Sequence, residues 1–214
     1  MRPDSRPLTV LLATLLALLA ACSSPEDKVA GHLERAEAFL AAEDFKKAAV
    51  EAKNAVQIQP KNAQAHFILA KLAWREAKFP EAFSQLTMAV ESDPNLIEAR
   101  LRLGDLYFSS GEVEEAAAQA EAARKLAPDR ADVHLLLAKV LYLRDDLPGA
   151  AAEIDAALAI NPAYVDAITA KAGLLVVRGD NAGALAIVDD GLTKTQGNDA
   201  VVLPQGSVKG DWEV

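Results

Sequence analysis

Proline recurs at 60, 94, 128 and 162, so one backbone-breaking residue returns every 34 positions through the middle of the chain. Each proline removes a donor from the helical ladder and pushes the residue before it towards extended geometry, so helices stop at these points. The chain is cut into equal lengths, each too short to bury its own apolar face. A fixed period of this size implies stacked helical hairpins in which every unit rests on its neighbours.

Setting the chain in blocks of 34 (29–62, 63–96, 97–130, 131–164 and 165–198) aligns three further columns. Position 8 holds Ala36, Ala70, Gly104, Ala138 and Ala172; position 20 holds Ala48, Ala82, Ala116, Ala150 and Ala184; position 27 holds Ala55, Ala89, Ala123, Ala157 and Gly191. All fifteen are Ala or Gly, as close approach of helix backbones requires. Larger apolar residues recur between them at helical spacing, as in Phe67, Leu69, Leu72 and Trp74. A polar turn centred on position 15 (Glu43, Ala77, Gly111, Asp145, Gly179) divides each block into helix A and helix B, each of roughly 13 residues and about 20 Å.

Small residues at 8, 20 and 27, an aromatic at position 11 in Phe39 and Tyr107, and proline at 32 resemble the tetratricopeptide repeat, and the resemblance covers 29–198. It implies an all-α, right-handed α-solenoid of about five helical hairpins. Departures sit in the terminal blocks, where Arg35 and Lys171 replace the usual Leu of position 7 and Gln196 replaces the proline. Terminal repeats are commonly atypical, because one face has no neighbour.

The N-terminus reads as an address. Arg2 and Arg6 precede an apolar run from Leu8 to Ala21, and small residues lead into Cys22, the three regions of an export signal in 1–21. This run of fourteen residues, broken only by Thr9 and Thr14, is too short to span a bilayer comfortably. Leu19-Ala20-Ala21-Cys22 resembles the lipobox of bacterial lipoproteins, which implies lipidation of Cys22 and attachment to a membrane through it. Cys22 is the only cysteine, so an internal disulfide is excluded. Ser23 after the cysteine, by the same resemblance, favours the periplasmic face of an outer membrane, with 22–28 as a short lipidated tether.

Composition narrows the function classes. Removing 1–21 takes Arg2, Arg6 and Asp4 from 22 basic and 31 acidic residues, leaving 20 and 30 and a net charge of −10. No basic footprint for nucleic acid is present. His32, His66 and His134 all fall at position 4, which reads as a half-buried packing column; none has a second ligand at i+4, and no metal or other cofactor is expected. No HExxH, phosphate loop or GxSxG occurs, so the chain is not read as an enzyme.

The functional candidate is a surface. By the family resemblance, positions 2, 5, 9, 12 and 13 of the A helices line a concave groove that accepts an extended peptide or a partner helix. Carried onto this chain, the partner-binding residues are Phe67, Lys71, Trp74, Arg75, Leu101, Asp105, Phe108, Leu135, Lys139 and Tyr142, with Gln64, Glu98 and Asp132 at position 2. Position 12 holds Leu40, Trp74, Phe108, Tyr142 and Val176, aromatic in three consecutive blocks, which suits either recognition or packing between A helices. Position 9 lacks the asparagine of the family's carboxylate clamp, so an apolar or mixed peptide is expected.

After block five, Asp199-Ala200-Val201-Val202-Leu203 reads as the opening of a sixth A helix, broken by Pro204, Gly206 and Gly210, with 199–214 an irregular tail. Without a capping helix, Ile187, Val188 and Leu192 are expected to be poorly covered. Lipobox, short tether and immediate repeats are similar to the repeat lipoprotein associated with exosortase and exopolysaccharide export, and less closely to the pilotins of type IV pili. The resemblance implies a lipid-anchored scaffold for protein or peptide partners in envelope assembly or export. The alternatives are a pilotin-like assembly factor, or the targeting part of a longer repeat protein or enzyme.

Overall fold

The computed structural model describes residues 24–194 as ten helices and no strand. They are α1 (Pro25–Ala41), α2 (Phe45–Ile58), α3 (Ala63–Arg75), α4 (Phe79–Ser92), α5 (Ile97–Ser110), α6 (Val113–Leu126), α7 (Ala131–Leu143), α8 (Leu147–Ile160), α9 (Val165–Val177) and α10 (Asn181–Lys194). From α3 onward every A helix begins at the first residue of its block. Every B helix begins at position 17 and ends at position 30, two residues before each of the four prolines. The residues before those prolines leave helical geometry, with φ/ψ of −129°/89° at Gln59, −137°/98° at Asp93, −148°/74° at Ala127 and −133°/94° at Asn161.

All fifteen small residues of the three columns are buried. They do not feed one central core. The interior is a series of slabs, each but the last made by the two helices of a hairpin and the helix that follows. One gathers Ala36, Leu40, Ala48, Ala52, Ile68 and Leu72, and another Leu101, Ala116, Ala120, Val133, Leu136 and Val140. Each helix packs on the next in sequence, and A helices of adjacent repeats also touch, most closely α5 on α7 and α1 on α3. This is the all-α solenoid the period predicts.

The turn between helices A and B bends at position 15 in every repeat. Glu43, Ala77, Gly111, Asp145 and Gly179 all take positive φ, between 55° and 80°. Glycine adopts this left-handed geometry without strain, whereas the other three residues hold it against the steric preference of a Cβ.

Two expectations change. Pro25–Lys28, read from the sequence as tether, form the first turn of α1, because Ser24 caps the Asp27 amide and Asp27 returns a bond to the Ser24 amide. In the last hairpin Val188 is buried against Ile168, Ala172 and Ala184 and Ile187 is half-buried, so Leu192 is the one expected residue left exposed. Val176, Val177 and Leu185 of the same hairpin are exposed as well. Cys22 and 199–214 lie outside the described residues. Among the described residues no helix is long and apolar enough to cross a membrane.

Candidate functional site

The position-4 histidines are partners in a repeated cross-hairpin bond. His32 Nδ1 lies 2.6 Å from Glu51, His66 Nδ1 2.7 Å from Gln85, and His134 Nδ1 2.6 Å from Glu153, always 19 residues away on helix B. In the third repeat Arg100 donates to Gln119 across the same gap at 2.8 Å. His66 is fully buried, and its Nε2 reaches the carbonyl of Pro60 at 2.9 Å; Arg100 donates likewise to the Pro94 carbonyl. Each bond satisfies a polar atom that hairpin closure would otherwise strand. In the fifth repeat the pair becomes Ile168 and Ile187, both within the last slab. Among the described residues no group of His, Cys, Asp and Glu could hold a metal ion.

The candidate site lies across the A helices. A cleft of about 290 Å³ runs from α3 to the start of α9, with a floor of Phe67, Leu101, Leu135 and Leu136. Position 9 supplies Lys71, Asp105 and Lys139, one from each of three successive A helices, and Lys139 Nζ meets Asp105 at 2.6 Å. Glu98 and Asp132 of position 2 form the opposite rim. Arg130 joins them, donating to Asp132 through two nitrogens, at 3.0 and 2.6 Å, and to Glu98 at 2.8 Å. The bond from Arg130 holds the Glu98 carboxyl below its usual range in spite of partial burial.

Of the ten groove residues read from the sequence, the cleft brings together Phe67, Lys71, Leu101, Asp105, Leu135 and Lys139. Trp74, Arg75, Phe108 and Tyr142 do not line it. Trp74 turns edge-on to Phe79 at 5.2 Å, and the Arg75 guanidinium stacks 3.8 Å over Phe45, so both lie against B-helix starts. Phe108 is half-buried with Lys139 Nζ 5.8 Å from its ring, and Tyr142 is 44 % exposed. Position 12 lies near the C-terminal end of each A helix, beyond the floor.

Arg102, Arg130, Leu136, Tyr164 and Asp166 line the cleft without having been singled out in the sequence. Arg130 and Tyr164 share position 34, the residue that precedes helix A. Asn62 occupies that position before α3 and caps it, accepting from the Ala65 amide at 2.8 Å. Leu96, Arg130 and Tyr164 make no side-chain cap at α5, α7 and α9. A poor capping residue costs each helix about 1 kcal/mol relative to Asn or Ser. Arg130 and Tyr164 are instead turned into the cleft, and that departure was the signal available in the sequence.

Lys71 and Tyr164 mark the two ends. Burial lowers the Lys71 ammonium, which sits 5.4 Å from the Phe67 ring centre. Burial, and then the carboxylates of Asp166, Asp132 and Asp105, push the Tyr164 phenol above its ordinary value. Its hydroxyl has no hydrogen-bond partner among the described residues.

Stacked helical hairpins with a cleft lined by successive A helices define an all-α repeat protein. The chain belongs to the tetratricopeptide repeat family, whose model matches residues 13–97 and 101–165. Proteins of this family generally mediate protein–protein interactions. A comparison with curated protein sequences finds no match. Among solved structures the chain is similar to PilF of Pseudomonas aeruginosa (TM-score 0.66, 20% identity, 80% of this chain and 78% of that one). It is also similar to a thermophilic TPR protein of Thermus thermophilus (TM-score 0.67, 19% identity, 81% and 94%). A third is YrrB, a TPR protein with an unusual peptide-binding site (TM-score 0.60, 14% identity, 79% and 88%). At these identities the likeness concerns the fold.

Proposed function

We propose that this chain is a lipid-anchored, non-catalytic scaffold that holds an extended segment of a cell-envelope protein in the cleft between α3 and α9. The observation that carries the reading is the cleft itself, an apolar floor between rims of ordered charges, on the helices that the family resemblance implies for recognition. Such a lining suits a peptide backbone and mixed side chains better than a small apolar ligand. The export signal and lipobox-like Leu19-Ala20-Ala21-Cys22 favour anchoring at the periplasmic face, by preference of the outer membrane. Block wording such as Lys47-Ala48-Ala49-Val50-Glu51-Ala52 favours an exopolysaccharide or exosortase-type system over pilotin activity.

Three variants of the full chain test this. Cys22→Ser should release the protein from membranes in fractionation while leaving its helicity unchanged. Lys71→Ala with Tyr164→Ala should abolish cross-linking to the envelope partner that the parent captures, whereas Trp74→Ala with Tyr142→Ala should leave it intact. Loss only with the second pair would move the working surface to the position-12 column.

A further inference from the structure

Eight charged residues line the cleft, and six are matched to one another. Arg130 bridges Glu98 and Asp132, Lys139 holds Asp105 at 2.6 Å, and Arg102 stands 4.0 Å from the same Asp105. The two left over are Lys71 and Asp166, and neither forms an ion pair among the described residues. They occupy opposite ends, on α3 and α9. Lys71 could have been neutralised by Glu37 of α1, but Gln64 donates to that carboxylate at 2.9 Å. Asp166 is exposed, next to the Tyr164 phenol whose hydroxyl also lacks a partner. The middle of the cleft is therefore electrically closed, while one end presents an ammonium and the other a carboxylate beside an aromatic ring.

We propose that the cleft selects a segment of mixed charge, with an acidic side chain seated at Lys71 and a lysine or arginine seated between Tyr164 and Asp166. This rests on reading the cleft as a peptide groove, and it names the occupant's chemistry. The half-buried Lys71 ammonium has the Phe67 ring and the field of Glu37 but no counter-ion in contact, so a carboxylate from the partner restores hydration energy that folding removed. At the far end a cation finds both an ionic partner and a ring face. A like charge at either end would be repelled, so the arrangement discriminates as well as binds. Neighbouring helices pack about 8–10 Å apart. Three steps from α3 to α9 thus separate the ends by about 25–30 Å, which about eight residues of extended chain span. Apolar residues between the two charges would rest on Leu101 and Leu135.

Blocked ten-residue peptides with one shared apolar centre test the proposal against the full chain by calorimetry. Their ends carry Glu and Arg (in both orders), Glu and Glu, Arg and Arg, or Gln and Gln. One mixed order should bind tightest, with roughly tenfold loss for each mispaired end. Lys71→Glu should make the Arg/Arg peptide the best ligand, Asp166→Lys the Glu/Glu peptide, and the double variant should restore preference for mixed ends with the order reversed. Thermal melts of the variants check that each remains folded. If the peptides bind but their ranking ignores both substitutions, the charge polarity is wrong and the groove reading stands. If no peptide binds, the groove reading fails with it.

Discussion

Lys139 Nζ lies 2.6 Å from Asp105, and the two residues are 34 positions apart, so the period of the sequence appears in space as a single ion pair. Both side chains are 28 % exposed, which screens the pair less than an open surface bridge. Asp105→Asn leaves the Lys139 ammonium in the cleft without its counter-charge, and Lys139→Met does the converse. Each should lower stability by about 1 kcal/mol, and the double variant should lose less than the sum. A denaturant double-mutant cycle with no coupling would show that the bridge adds nothing.

Ala77 carries a Cβ at φ 56°, at the position where the third and fifth repeats have Gly111 and Gly179. It is exposed, so a change there acts through the backbone alone. Relief of left-handed strain outweighs the extra freedom of glycine in the unfolded chain, and Ala77→Gly should gain about 0.5–1 kcal/mol. For a chain of this size that raises Tm by about 2 °C, readable by thermal circular dichroism. An unchanged or lower Tm would count against the turn geometry.

Glu51 accepts from Arg35 and His32, and these bonds, Arg35 first, hold its carboxyl below the ordinary glutamate range. A depressed folded value makes the contribution fully present above the unfolded value near 4.5 and removes it as pH falls through the folded one. Glu51→Gln should therefore cost about 0.5–1 kcal/mol at neutral pH and almost nothing well below that value. Urea unfolding of both proteins across this range measures the convergence.

Gly191 stands at the position that is alanine in the other four repeats, and a Cβ built on it would meet Ile168 at 2.9 Å. The isoleucine that replaces the polar pair thus occupies the space its hairpin partner gives up. Gly191→Ala should destabilise by about 1 kcal/mol, because overpacking exceeds the gain in helix propensity. In an Ile168→Ala background, itself costing about 2–5 kcal/mol, the same change should become favourable by about 1 kcal/mol. Equal effects in both backgrounds would break the link between the two sites.

The fold was legible because its signals are local and repeated. Fifteen small residues and four prolines mark helix ends and close approaches without reference to anything distant in the chain. The bonds between positions 4 and 23 were not legible, since His32 and Glu51 meet only once two helices have closed at a particular rotation. Half of the cleft was legible for the same reason that the other half was not. Phe67, Leu101 and Leu135 sit in a column inside the A helices, whereas Arg130 and Tyr164 come from the linkers before them, where sequence reasoning expects a small cap. Val188 was misjudged because its cover comes from Ile168 of the same hairpin rather than from a missing neighbour.

In this chain each hairpin is held chiefly by those beside it in sequence, as the packing of every helix on its successor shows. The pitch of such a coil is the accumulation of small tilts, each set by one junction and free of the others, so that compliance adds up along the array as in a spring. A segment held as proposed, lengthwise from α3 to α9, would touch four hairpins and fix the three junctions between them at once. Occupancy would then convert the spring to a strut, and the quantity it would change first is stiffness, with the fold of each hairpin left as it was.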